Sequence, residues 1–96
     1  MRLRWTESAK NSLIEIHDYI AKDSPRAARR VVRQVKTDAD LLKQNPGMGR
    51  KGRVDGTREL VVSHYPFIIV YRVANPDEVH IVAAIHTARL WPEQIA

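Results

Sequence analysis

Three β-rich runs in the second half of the chain, RELVV at 58–62, FIIVYRV at 67–73 and VHIVAAI at 79–85, are separated only by SHYP and ANPDE. Connectors of hairpin length require neighbouring runs to pair antiparallel, because a parallel pair needs a crossover of a dozen residues or more. The first half follows a helical period instead. RLRW is short and alternates, which predicts a first strand, and Thr6 follows as a helix cap with Glu7 in the first turn. Ala9, Leu13, Ile16 and Ile20 then recur at spacings that put them on one stripe of a helix running to about Lys22. KDSP breaks that helix. Asp23 or Ser24 caps the next one, Pro25 suits its first turn, and it is expected to run to about Gln44. Its apolar residues Ala28, Val31, Val35, Ala39 and Leu42 share a face, so the two helices should form an antiparallel hairpin. The expected fold is α+β in the order β-α-α-β-β-β, with the helix hairpin packed on a small, mostly antiparallel sheet.

At 96 residues the chain has room for one core, and residues 1–96 are read as a single domain. The absence of cysteine excludes disulfides, thiolate metal sites and thiol catalysis, and it fits a reducing compartment. MRLRWTES lacks the apolar run of a signal peptide, and no apolar stretch approaches the roughly 20 residues needed to cross a bilayer. A cytoplasmic protein with no membrane role is expected. Sixteen Lys and Arg against eleven Asp and Glu leave a net charge of +5, which favours a polyanionic partner, either nucleic acid or an acidic protein segment.

Positive charge gathers in three places. Arg26, Arg29, Arg30, Arg33 and Lys36 lie on the second helix opposite its apolar stripe; they form either a solvated helix face or a ridge for phosphates or carboxylates. Arg50, Lys51 and Arg53 sit among Gly47, Gly49 and Gly52 in a segment, 45–57, expected to be a flexible cationic loop. Phosphate could dock there, although the spacing is not that of a P-loop. The third place is the sheet. Pairing Val73 with Val79 sets Arg72 opposite His80 and Pro66 opposite His86. Arg72 and His86 then share a face but lie about 20 Å apart at roughly 3.3 Å per residue. Two clusters are therefore expected. One holds His86 with His64, Tyr65, Arg89 and Trp91, and the other holds Arg58 with Arg72 and His80.

A histidine beside an arginine can protonate a leaving oxygen while the guanidinium stabilises a phosphorane-like charge, as metal-free RNA cleavage by the neighbouring 2′-hydroxyl requires. His86 with Arg89, Arg58 or Arg53 is the candidate set, and a strand-end residue that caps or packs is the plainer account of His86. His64 and His86 alone are too few for a zinc site, so neither a metal nor a cofactor is expected. No GxSxG or HExxH pattern is present.

The element order, NPGMGRKGRVDGTRELVV, FIIVYRV and the terminal IHTARLWP together resemble the RelE/ParE superfamily, the toxins of bacterial type II toxin–antitoxin modules, over nearly the whole chain. The resemblance implies a toxin neutralised by a small, acidic, partly disordered antitoxin that wraps it. ParE-like members poison DNA gyrase, whereas RelE-like members cut messenger RNA in the ribosomal A site. Where RelE carries an arginine two residues before the valine of its VYxV strand this chain has Ile68; Ala88 stands near the position of a second basic residue, and WPEQIA replaces a terminal tyrosine. A histidine closing the last strand also resembles the LHERMD pattern of ParE-like toxins. The resemblance thus favours a ParE-like, non-enzymatic growth inhibitor over a ribosome-dependent endoribonuclease. A third reading is an autorepressor complex in which the antitoxin reads operator DNA and the toxin's helix ridge adds phosphate contacts.

Overall fold

A computed structural model describes residues 1–88. Strand β1 (Arg2–Trp5) leads into helices α1 (Glu7–Ala21) and α2 (Pro25–Asp40), and a single 3₁₀ turn spans Leu41–Lys43. Strands β2 (Arg50–Lys51), β3 (Arg58–Val61), β4 (Phe67–Asn75) and β5 (Glu78–His86) follow. The sheet order is β1-β5-β4-β3-β2, with β1 parallel to β5 and the other neighbours antiparallel. The α+β expectation holds, with a two-residue β2 added inside the glycine-rich segment.

Both helices start where short polar side chains satisfy their first free amides. Thr6 Oγ1 accepts from the Ala9 amide at 3.1 Å and donates to the Ile81 carbonyl at 2.8 Å, so one hydroxyl caps α1 and ties it to β5. Ser24 rather than Asp23 caps α2, its Oγ accepting from the Ala27 amide at 3.1 Å, with Pro25 at the first helical position. The α-helix stops short of the expected Gln44. Pro46 disfavours helical backbone at Asn45, and the last turn tightens to the 3₁₀ form.

The main core lies between the helix hairpin and one face of the sheet. Ala9 and Leu13 from α1, Val31, Val35 and Ala39 from α2, and Ile69, Tyr71, Val79, Ile81 and Ala84 from β4 and β5 meet there. A fully buried aliphatic such as Ile69 or Ile81 contributes about 1.5–3 kcal/mol. The opposite face carries a smaller apolar patch of Ile68, Val70, Ala83 and Ile85, with Val54 and Val82 against it.

The β4–β5 register begins as expected, with Val73 opposite Val79 and Arg72 opposite His80. It then slips. Val70 pairs with Ala83 and Tyr71 with Ile81, so Val82 is an extra residue on β5. His86 consequently meets Phe67 rather than Pro66, and the expected sharing of a face by Arg72 and His86 is overturned. His86 points to the helix side with Phe67, while Arg72 and His80 belong to the open side.

Candidate functional site

The α2 ridge forms as the helical period dictates. Arg26, Arg29, Arg30, Arg33 and Lys36 are all exposed, because Ala28, Val31, Val35 and Ala39 take the buried face. Among the described residues no carboxylate pairs with any of the five. They are available to an anionic partner.

The glycine-rich segment behaves differently. Glu59 is 2% exposed, and its carboxylate takes Arg50 Nη2 at 3.1 Å, the Arg53 amide at 3.1 Å and Arg53 Nε at 3.8 Å. Arg50 and Arg53 are therefore drawn onto one carboxylate inside the fold, which offsets one of their two charges, while Lys51 stays exposed. The segment is also tethered rather than loose. The Tyr71 hydroxyl accepts from the Gly49 amide at 2.8 Å and donates to the Pro46 carbonyl at 2.8 Å. Burial pushes this phenol above its ordinary value. Arg58 Nη1 donates to the Gly49 carbonyl at 2.8 Å and to Gly47 at 3.4 Å. Gly49 allows this approach, since a Cβ there would lie 2.6 Å from the Tyr71 hydroxyl.

Arg58 pairs with Tyr71, which faces the helices, so the facing of Arg58 is fixed and it does not share a surface with Arg72 and His80. His86 sits at the other end of β4. Its ring packs edge-on against Phe67, with centroids 5.3 Å apart and planes at 87°, and its Nδ1 accepts from the Ala88 amide at 3.0 Å. The β3–β4 hairpin does come to this end: the Thr87 amide donates to the Pro66 carbonyl at 2.9 Å, His64 is exposed, and Tyr65 packs against the main core. Phe67 and Tyr71, the partners of His86 and Arg58, lie four residues apart, about 13 Å at roughly 3.3 Å per residue. The structure therefore places His86 at the same end of the sheet as His64 and Tyr65, and not beside Arg58 or Arg53. Arg89 and Trp91 lie outside the described residues.

Three anchoring residues went unnoticed in the sequence: Glu59, Tyr71 and Asp38. Asp38 is 4% exposed and accepts from the Ser63 amide at 2.6 Å and Gln34 Nε2 at 2.8 Å, so it fastens α2 to the hairpin bearing His64. A signal existed, because Asp38 falls on the apolar stripe of Val31, Val35 and Leu42. At the hairpin tip His64 adopts φ 69°, a left-handed conformation uncommon for a residue with a side chain.

Away from these groups a groove of about 680 Å³ opens beside the helix hairpin. Trp5, Leu13, Ile14 and Val32 supply apolar walls, and Lys10, Lys36, His17 and Asp18 supply polar ones. Ile14 is 57% exposed on this surface. Among the described residues no three His, Cys, Asp or Glu side chains group to hold a metal ion, and no helix is long and apolar enough to cross a membrane.

Comparison with known proteins places this geometry in context. The family model for the ParE toxin of the type II toxin–antitoxin system, parDE, matches residues 3–91. A putative toxin, Y4kP of Sinorhizobium fredii, is 45% identical over 92 residues, covering 96% of this chain and 94% of that protein. Toxin RelE2 of Caulobacter vibrioides is 45% identical over 86 residues, 90% of this chain and 94% of that one. Among solved structures, a chain of the chromosomal ParDE toxin–antitoxin system from P. aeruginosa superposes with a TM-score of 0.80 at 31% identity, covering 90% of this chain and 95% of that chain. The RelBE2 toxin–antitoxin complex from Mycobacterium tuberculosis shares the fold at 24% identity, with a TM-score of 0.54 over 88% of this chain and 94% of that chain.

Proposed function

The chain belongs to the ParE toxins of type II toxin–antitoxin systems, and from that premise we propose that it arrests growth by binding its target, DNA gyrase, and is held inactive by a cognate antitoxin in the cytoplasm. The observation that supports a binding mode of action is the separation of His86 from Arg58 and Arg53, the candidate guanidinium groups among the described residues. General acid–base cleavage of RNA needs a proton donor and a charge-stabilising cation around one phosphate. Here the imidazole is packed against Phe67 and hydrogen-bonded to the Ala88 amide, Arg58 is turned to the Gly47 and Gly49 carbonyls, and Arg53 is held by Glu59. A toxin of this kind acts through its surface.

The antitoxin is an acidic, partly disordered segment that orders itself in the groove beside the helix hairpin. Apolar side chains on Trp5, Leu13, Ile14 and Val32 offset the ordering entropy, and Lys10 and Lys36 attract the negative charge. The α2 ridge extends the same cationic surface.

Purified toxin is expected to inhibit supercoiling by gyrase, with inhibition relieved by the antitoxin. Unchanged topoisomers at saturating toxin overturn the gyrase reading. A ribosome-dependent endoribonuclease is the second reading, favoured by the placement of His86, His64 and Tyr65 at one end of the sheet and by the likeness to a protein named toxin RelE2. Codon-phased cuts in primer extension, abolished by His86→Ala with antitoxin binding intact, would replace the first reading by the second.

A further inference from the structure

On the side of the sheet away from the helices, we propose a surface for the phosphodiester backbone of nucleic acid, built on the row Arg4, His80 and Arg72. The register defines it. Arg4 of β1 pairs with His80 of β5, and His80 pairs in turn with Arg72 of β4, so three adjacent strands contribute one cationic side chain each to a single row. Their chain neighbours Leu3, Val79, Ile81 and Tyr71 pack into the main core, which sends the row to the open side. At roughly 4.8 Å per strand, Arg4 and Arg72 stand about 10 Å apart with the imidazole between them.

The row is under-neutralised. Arg4 and Arg72 are exposed, and neither pairs with a carboxylate among the described residues. The nearest acid in register, Glu78, is already engaged by Asn75 Nδ2 at 3.2 Å and by His80 Nε2 at 3.5 Å, and it also feels the charge of Arg2. His80 Nε2 is buried and makes no hydrogen bond. Among the described residues, Glu78 and Glu7, which line one hollow with Arg2, Arg4 and Lys10, thus stand against those three cations and Arg72.

The surroundings select the ligand. A peptide that folds on binding needs apolar area to offset its ordering entropy. On this face Val70 and Ala83 are already buried, and the row's neighbours on β1 and β5 are Arg2 and Glu78. A phosphodiester needs only charge and the release of counterions, and the guanidinium fork matches phosphate geometry. Two forks about 10 Å apart at their backbones can each take a phosphate of one strand. The row also lies across the sheet from the groove assigned to the antitoxin, so one molecule can hold both ligands. This inference does not depend on the gyrase reading.

The test measures fluorescence anisotropy of a 20-mer DNA duplex and a 20-mer single-stranded RNA with the full chain, at 50–200 mM salt. Arg4→Gln/Arg72→Gln is compared with Arg29→Gln/Arg33→Gln, which removes the same charge from the α2 ridge. The sheet variant is expected to bind about tenfold or more weakly at the low-salt end and to lose about 1.8 from the duplex log–log salt slope, at roughly 0.9 per phosphate. The ridge variant, which lowers the net charge equally, is expected to lose clearly less affinity and to keep most of the salt slope. Arg4→Lys/Arg72→Lys, which keeps the charge and the fold, should restore most of the slope. Binding of both probes, or of one, supports the row and identifies the nucleic acid. Equal losses in the two glutamine variants, no loss in the sheet variant, or displacement of DNA by polyglutamate at equal charge would overturn it.

Discussion

Arg50 and Arg53 in the glycine-rich segment and Arg29 and Arg33 on α2 are the same residue type at similar exposure, yet the fold treats them in opposite ways. Glu59 draws the first pair onto a carboxylate that is nearly inaccessible to water. The second pair projects from a helix with no acid within reach among the described residues. A cation near a buried acid is part of the scaffold, and the one carboxylate that Arg50 and Arg53 share offsets one of their two charges. A cation on a helix face with only aliphatic residues beneath it is surplus charge, and it attracts partners at a distance.

The comparison breaks most visibly at Glu59. Glu59→Ala removes the acceptor for two guanidiniums and for the Arg53 amide and leaves a gap on the sheet, so stability should fall by about 3 kcal/mol. The shift appears as a lower urea midpoint at constant slope. The same variant should make the chain faster to cleave by trypsin at Arg50, Lys51 and Arg53; an unaltered cleavage rate would mean that the carboxylate does not hold the segment. Tyr71→Phe should cost somewhat less, about 2 kcal/mol, because the Gly49 amide and the Pro46 carbonyl lose a buried partner while the ring still fills its site.

Tyr71 also gives the segment a signature that the ridge lacks. Its folded-state value lies above the ordinary 10.0, so the neutral phenol stabilises the fold below about pH 10. That contribution is lost as pH rises through the folded value. Urea midpoints of the parent chain should therefore fall more steeply above pH 10 than those of Tyr71→Phe, and parallel curves would refute the assignment. The smallest effect belongs to the ridge. Arg29→Ala/Arg33→Ala should change stability by no more than about 0.5 kcal/mol at either site while weakening capture of an acidic antitoxin, increasingly so at low salt. A large loss of stability would show that those arginines, too, are structural.

Much of this architecture was legible in the residues. The helical spacing of Ala9, Leu13, Ile16 and Ile20, the caps Thr6 and Ser24, and the hairpin-length connectors depend on local chemistry, and each appears where the pattern put it. The helix ridge was legible for the same reason, since an exposed face follows from the buried one. Glu59 was hidden because its neighbours in RELVV look like an ordinary strand, and only the return of the chain after Gly49 brings Arg50 and Arg53 to it. The distance of His86 from Arg58 was legible too, but its facing was not: the extra residue Val82 sets His86 against Phe67 on the helix side, and hairpin length alone does not fix that register.

Val82, the supernumerary residue of β5, makes the bulge itself a determinant of surface identity. Flattening the bulge at constant length would pair Val82 with Val70 and exchange the layers of everything beyond it, Ile85 rotating toward the helices and His86 to the open side, whereas deleting Val82 would restore strict alternation and leave those layers as they are. Two homologues of equal length, one bulged here and one not, would present unrelated chemistry from nearly identical strands, so an ungapped alignment through this stretch would compare an inward side chain with an outward one.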